Sequence, residues 1–264
     1  MNFWSFLIID NCFLEVQNSK FQWINSLFSG TVVLANLNSF ITFTNCEILE
    51  ISGKFGGVFH SHFASNLTFI NTTFWSIFAV DGSLGSIDND GMVIIDGGVF
   101  EDSFAYNIVG LTITESPLIS WLSNMIVRNN YLLSLDQINQ EIRFCIKLCF
   151  IDRNYLQNLW LLAIKSIDPY FIRHVFVKSS ISSITITNLQ FDNIESVFEG
   201  YYTEIYFNNC SFSNLRLKEL AFKPIETKLN IQNCSFSNIS TDLPISVFEN
   251  WKGSITTINN TWFE

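Results

Sequence analysis

The chain has 264 residues, 48% hydrophobic and only 14% charged, with a formal net charge of −10 and a pI near 4.7. That balance argues against a non-specific nucleic-acid binder, which needs a basic stripe. It also argues against anionic membrane surfaces and polyanionic substrates as partners. No run of 18 apolar residues occurs, so no transmembrane segment is expected.

The opening stretch, Met1-Asn-Phe-Trp-Ser-Phe-Leu-Ile-Ile-Asp10, is apolar without a basic flank, and Asp10 and Asn11 interrupt it. It reads as a first strand rather than a signal peptide. From there one pattern recurs around ten markers: Asn11, Asn45, Asn71, Gly97, Asn129, Arg153, Asn188, Asn209, Asn233 and Asn260. Two positions before each marker and three after it the residue is always apolar, as in Phe43 and Ile48, Ile95 and Phe100, or Phe207 and Phe212. The residue just before the marker is polar in nine of the ten, for example Thr44, Asp96 and Gln232. Alternation of period two, renewed every 21 to 35 residues, predicts short strands stacked on one another, each burying one face. The 27 Phe and 28 Asn suit such a stack. Phe fills a core without needing a polar partner, and Asn tolerates left-handed bends between strands.

Residues 1–128 carry the pattern most cleanly, with Ile41-Thr-Phe-Thr-Asn45 and Leu67-Thr-Phe-Ile-Asn71 as two versions of one unit. Between about 129 and 180 it weakens. There Ile138, Ile142, Ile146 and Cys149 stand three or four apart, and a short helical insertion near 135–150 is the alternative to a further rung. Beyond 181 the pattern returns, and Asn209-Cys-Ser-Phe-Ser-Asn214 is nearly repeated at Asn233–Asn238. The expectation is an all-β chain, one parallel β-helix of about ten rungs over residues 1–264, with marker side chains hydrogen-bonded from rung to rung. Neither end offers an amphipathic cap, so the chain is expected to be a fragment of a longer protein or to associate end to end.

The string Gly56-Gly-Val-Phe59, followed by Asn66-Leu-Thr-Phe-Ile-Asn71-Thr-Thr-Phe74, resembles the repeat of polymorphic outer-membrane proteins. It is also similar to long pectin-lyase-like surface proteins of unicellular eukaryotes, which the Asn-Cys-Ser-Phe-Ser-Asn copies fit better. The resemblance implies a right-handed β-helix exported to a cell surface, often within a longer polypeptide. Its motifs are short, and a Gly-Gly pair occurs only at Gly56-Gly57 and Gly97-Gly98.

No residue is expected to be catalytic. The constellation that would serve a polysaccharide-cleaving enzyme is Asp96, Arg128 and Asp152, each just before a marker on three successive rungs. Two carboxylates about 9.6 Å apart approach the upper limit for an inverting glycosidase. The plainer reading is a solvated Asp–Arg–Asp ladder, and no Gly-His-Gly, Asp-Asp or Arg-x-Lys element stands where a resemblance to polygalacturonases would want it. No metal or other cofactor is expected, although His60 and His62 alternate on one strand and His-x-His can hold zinc. Asp88-Asn-Asp90-Gly91 is a fragment of a calcium loop without its later bidentate Glu, and reads as an acidic turn. Six sequons occur, of which Asn71, Asn209 and Asn233 are markers, leaving Asn66, Asn238 and Asn259 as acceptors. Cys210 and Cys234 follow successive markers and should stack, as buried free thiols or as a disulfide.

The function expected is a non-catalytic extracellular or cell-surface β-helix module, structural or adhesive, with a glycan or a protein as ligand. The alternative is a polysaccharide lyase or glycoside hydrolase of the pectin-lyase-like fold.

Overall fold

The computed structural model describes residues 5–26, 30–105, 108–114, 119–128, 131–132, 175–180, 183–193, 197–217, 222–241, 247–248 and 253–264. These form strands and turns with no helix among them, and every strand pairing is parallel. The chain winds as a three-sided coil. Its first face holds eight strands: Leu7–Asp10, Val33–Asn36, Phe59–Ser61, Gly85–Asp88, Ile108–Thr114, Val175–Ser180, Phe198–Tyr201 and Phe222–Ile225. Among the described residues these eight strands enclose seven turns and the second face stacks nine strands, so the count of about ten rungs read from the sequence is approximate.

The second face precedes the marker corner and the third follows it. Phe40–Thr44 lies on the second face and Glu47–Phe55 on the third. In the next turn the single strand Asn66–Asp81 runs round the corner and supplies both faces.

The corners explain the asparagines. Asn45, Asn71, Asn188, Asn209, Asn233 and Asn260 all take the left-handed conformation, with φ between 45° and 56°, and Gly97 stands among them at 75°. Most L-residues pay roughly 1–2 kcal/mol there; Asn and Gly are the usual exceptions. The Asn amides also bond along the stack, Asn209 Nδ2 donating to Asn188 Oδ1 at 2.8 Å and Asn188 Nδ2 to Asn124 Oδ1 at 3.0 Å.

That ladder corrects the register in three places. Gln17 pairs with Thr44, so the first marker is Asn18 rather than Asn11. Asn11 belongs to another corner, also left-handed at φ 50°, between the first and second faces. Asp96 pairs with Ser123, and Ser123 with Thr187, so the marker after Gly97 is Asn124 rather than Asn129. Because Ser123 and Thr187 are direct partners, no rung built on Arg153 stands between them, although Asn124 and Asn188 are 64 residues apart. Arg153 and the helical alternative near 135–150 lie outside the described residues.

Inside the coil the expected columns are buried. Ile95, Phe100 and Phe212 are fully enclosed and Ile231 nearly so. Phe191, Phe212, Phe236 and Phe263 stack face to face at 4.8, 4.5 and 4.9 Å. The terminal turns expose large apolar side chains: Phe6, Phe13 and Trp23 in the first, Ile255, Trp262 and Phe263 in the last. Rings left open to solvent favour burial against another copy. The isolated 264-residue chain is therefore expected to self-associate, with a scattering mass that rises with concentration. A mass that stays monomeric over a hundredfold dilution series would rule this out.

Candidate functional site

The corrected register dissolves the expected Asp96–Arg128–Asp152 column. Asp96 points outward from the second face and accepts from Ser123 Oγ at 2.8 Å and Asn124 Nδ2 at 2.6 Å. Arg128 lies four residues after the true marker, on the third face, where its Nε donates to Glu101 at 2.5 Å. Asp152 lies outside the described residues. Asp96 and Arg128 were aligned through Asn129; once Asn124 takes that corner they leave a common column.

What the second face presents instead is an aromatic pair. Its central outward column reads Thr42, Thr68, Ile94, Trp121, Thr185, Tyr206, Asn230 and Thr257 on consecutive turns. Trp121 and Tyr206 are exposed, at 46% and 39%, with only Thr185 between them. Two parallel spacings separate them, roughly 9.6 Å along the axis. Ser123, Thr187 and Asn208 line one side of this pair, and Glu204 accepts from the Tyr206 hydroxyl at 2.6 Å. The outcome is a flat face with two rings set among hydroxyls and amides. Sequence reasoning missed it because Trp121 and Tyr206 are both three before a marker only when that marker is Asn124.

On the first face the coil brings His60, His62 and Asp88 together. His60 and His62 share the strand edge at Phe59–Ser61, and Asp88 ends the next strand, beside His62. His60 Nε2 lies 3.1 Å from Asp88 Oδ2, and His62 Nδ1 bonds Asp88 Oδ1. All three are half-buried, with 16%, 22% and 30% of their side chains exposed. Burial by itself would raise the Asp88 carboxyl, but the hydrogen bonds from His60 and His62 outweigh it and hold the group below its ordinary value. The sequence placed these residues in separate motifs. The signal that joins them is the 26-residue step from His62 to Asp88, one turn of the coil. Asp90 stays apart on an exposed turn, closed by Gly91 N–H donating to Asp88 O at 2.9 Å, so the acidic turn expected there is present.

Cys210 and Cys234 are buried free thiols one turn apart, the Cys210 N–H donating to the Cys234 sulfur at 3.5 Å. The Cys234 contact, and then burial, push the Cys210 thiol up. Cys12 is exposed, because it follows Asn11 rather than a true marker. Among the remaining sequons, Asn238 Nδ2 is engaged by Asn214 Oδ1 at 2.5 Å, and the Asn66 Oδ1 is buried. Asn238 is nevertheless exposed, as is Asn259 in the last turn.

These features define a parallel β-solenoid with outward polar and aromatic columns and a filled apolar interior. No family model, curated protein or solved structure matches the chain. No helix among the described residues is long and apolar enough to cross a membrane.

Proposed function

We propose that this β-solenoid is a non-catalytic binding module, displayed outside the cell or at its surface, whose second face takes an extended glycan. The exposed Trp121 and Tyr206 rings in one column carry this reading. Aromatic rings offer an apolar face to the C–H side of a sugar while neighbouring polar groups meet its hydroxyls. Thr185, Thr187, Ser123 and Asn208 stand where such hydroxyls would lie. A straight file of side chains suits a polymer better than a compact ligand. The net charge of −10 favours a neutral polymer over a uronic-acid chain. Surface display follows the likeness of the Gly56–Phe74 and Asn209–Asn214 strings to pectin-lyase-like surface repeats.

Affinity electrophoresis against soluble neutral glucans, mannans and xylans tests the reading. The chain should be retarded by at least one of them. Trp121→Ala and Tyr206→Ala should each weaken that binding roughly 10-fold or more, as loss of a central aromatic anchor does. Asp96→Asn should leave it unchanged. Retardation by none of these polymers, or equal retardation of both aromatic variants, counts against the reading. Turnover of a polysaccharide that vanishes in Asp96→Asn would replace it with the hydrolase alternative.

A further inference from the structure

We propose that His60, His62 and Asp88 form a binding site for a divalent transition-metal ion of the zinc class, on the first face of the coil. The donor atoms His60 Nε2, His62 Nδ1 and one Asp88 carboxylate oxygen all lie within 4.8 Å of one another. Zinc bonds of about 2.0–2.1 Å put tetrahedral ligand atoms roughly 3.3 Å apart. Small rotations about the side-chain torsions therefore bring all three donors onto one ion. Two imidazoles and one carboxylate select a borderline metal over calcium or magnesium, which take oxygen ligands. Three protein ligands leave at least one position for water or an incoming ligand.

The surroundings of the cluster support the assignment independently. His60 Nδ1, Asn36 Oδ1 and Ser86 Oγ are buried and have no hydrogen-bond partner. All three lie at this spot: Ser86 is the register partner of His60, and Asn36 follows Ala35, the partner of Ser61, which places it beside His62. Buried orphan polar atoms are uncommon, and a missing ion or water is one of their standard causes. A histidine bound through Nε2 carries its proton on Nδ1, and the usual acceptor for that proton is a neighbouring polar group. Ser86 is the register partner of His60 on the adjoining strand, and its Oγ and the His60 Nδ1 are both without a hydrogen-bond partner. Asn89 Nδ2 lies 3.3 Å from His62 Nδ1. Rotating that amide by half a turn would direct its carbonyl oxygen at the same ion.

The backbone holds this arrangement. Gly30 packs against the His60 backbone, where a Cβ would meet the main-chain nitrogen at 2.7 Å, and Gly56 packs against Ser86, where it would meet Oγ at 2.8 Å. The corner glycines thus close against the following turn, at the His60 main chain and at the Ser86 hydroxyl. The ion would tie two neighbouring strands of the first face together at the turn Asp88–Gly91.

The test uses the folded 264-residue chain, zinc in competition with a chromophoric chelator, and cobalt(II) as a spectroscopic probe. One zinc per chain is expected at pH 7.5. Cobalt should give visible ligand-field bands without a sulfur charge-transfer band. Asp88→Asn and His62→Gln change outward side chains and should keep the wild-type circular dichroism spectrum. Each should bind zinc at least about 100-fold more weakly, beyond the 10–100-fold that loss of an outer partner costs. Wild-type chain that takes up no stoichiometric zinc overturns the proposal. So does undiminished uptake by both variants, or a sulfur charge-transfer band marking the cysteines as ligands.

Discussion

Phe212→Ala is expected to lower the free energy of unfolding by about 3–5 kcal/mol, the upper range for deleting a buried aromatic ring. Phe212 is fully enclosed, stacked between Phe191 at 4.8 Å and Phe236 at 4.5 Å, with Phe207 and Phe222 at its edges. The two stacked neighbours belong to adjacent turns whose spacing is set by backbone hydrogen bonds. They cannot close the gap without breaking the ladder, so most of the cavity survives. A urea titration measures the effect, and a loss below about 1 kcal/mol would show that the ring does not fill the core as described.

Gly57→Ala should be nearly as damaging, at about 3 kcal/mol, for a backbone reason. A Cβ at Gly57 would lie 2.2 Å from the Ser83 carbonyl oxygen of the next turn and 2.9 Å from an Ile77 methyl. The same turns are joined there by Gly57 N–H to Gly82 O at 2.9 Å and Val58 N–H to Leu84 O at 3.1 Å. Making room for one methyl group means prying apart hydrogen-bonded backbone. Gly97→Asn is the informative contrast. Its Cβ would meet only the Asn71 Oδ1, a side-chain end that can swing away, and its φ of 75° is close to that of the Asn residues above and below. That exchange should cost less than about 1 kcal/mol. Thermal melts of the two variants should separate clearly; equal midpoints would refute the packing argument.

Phe43, Ile48, Phe69, Phe74, Ile95, Phe100, Phe212 and Phe236 were all legible as core from the sequence, and all are buried. They were legible because alternation along a strand is local, with neighbours two apart sharing a face. The stacked Asn corners were legible for the same reason, since the left-handed conformation selects Asn and Gly at a single position. Register was not. Each turn contains several left-handed corners: Asn38, Asn45 and Glu50 in one, Tyr202, Asn209 and Asn214 in another. Asn is favoured at any of them, and inward apolar residues flank them all. An apolar–Asn–apolar string therefore identifies a corner without saying which, and Asn11 and Asn129 were aligned with the wrong one.

Residues within one strand and its corner are enough to specify a coil of stacked strands with a Phe- and Ile-filled interior. Which turn rests on which emerges only in the folded chain. That depends on the summed length of each circuit, 27 residues between Asn18 and Asn45 but 64 between Asn124 and Asn188. Every outward juxtaposition follows from that sum: Trp121 in line with Tyr206, Asp88 beside His62, and Asp96 apart from Arg128. Such contacts join residues a full turn apart, where a slip of one position sends a side chain to the opposite side of its strand.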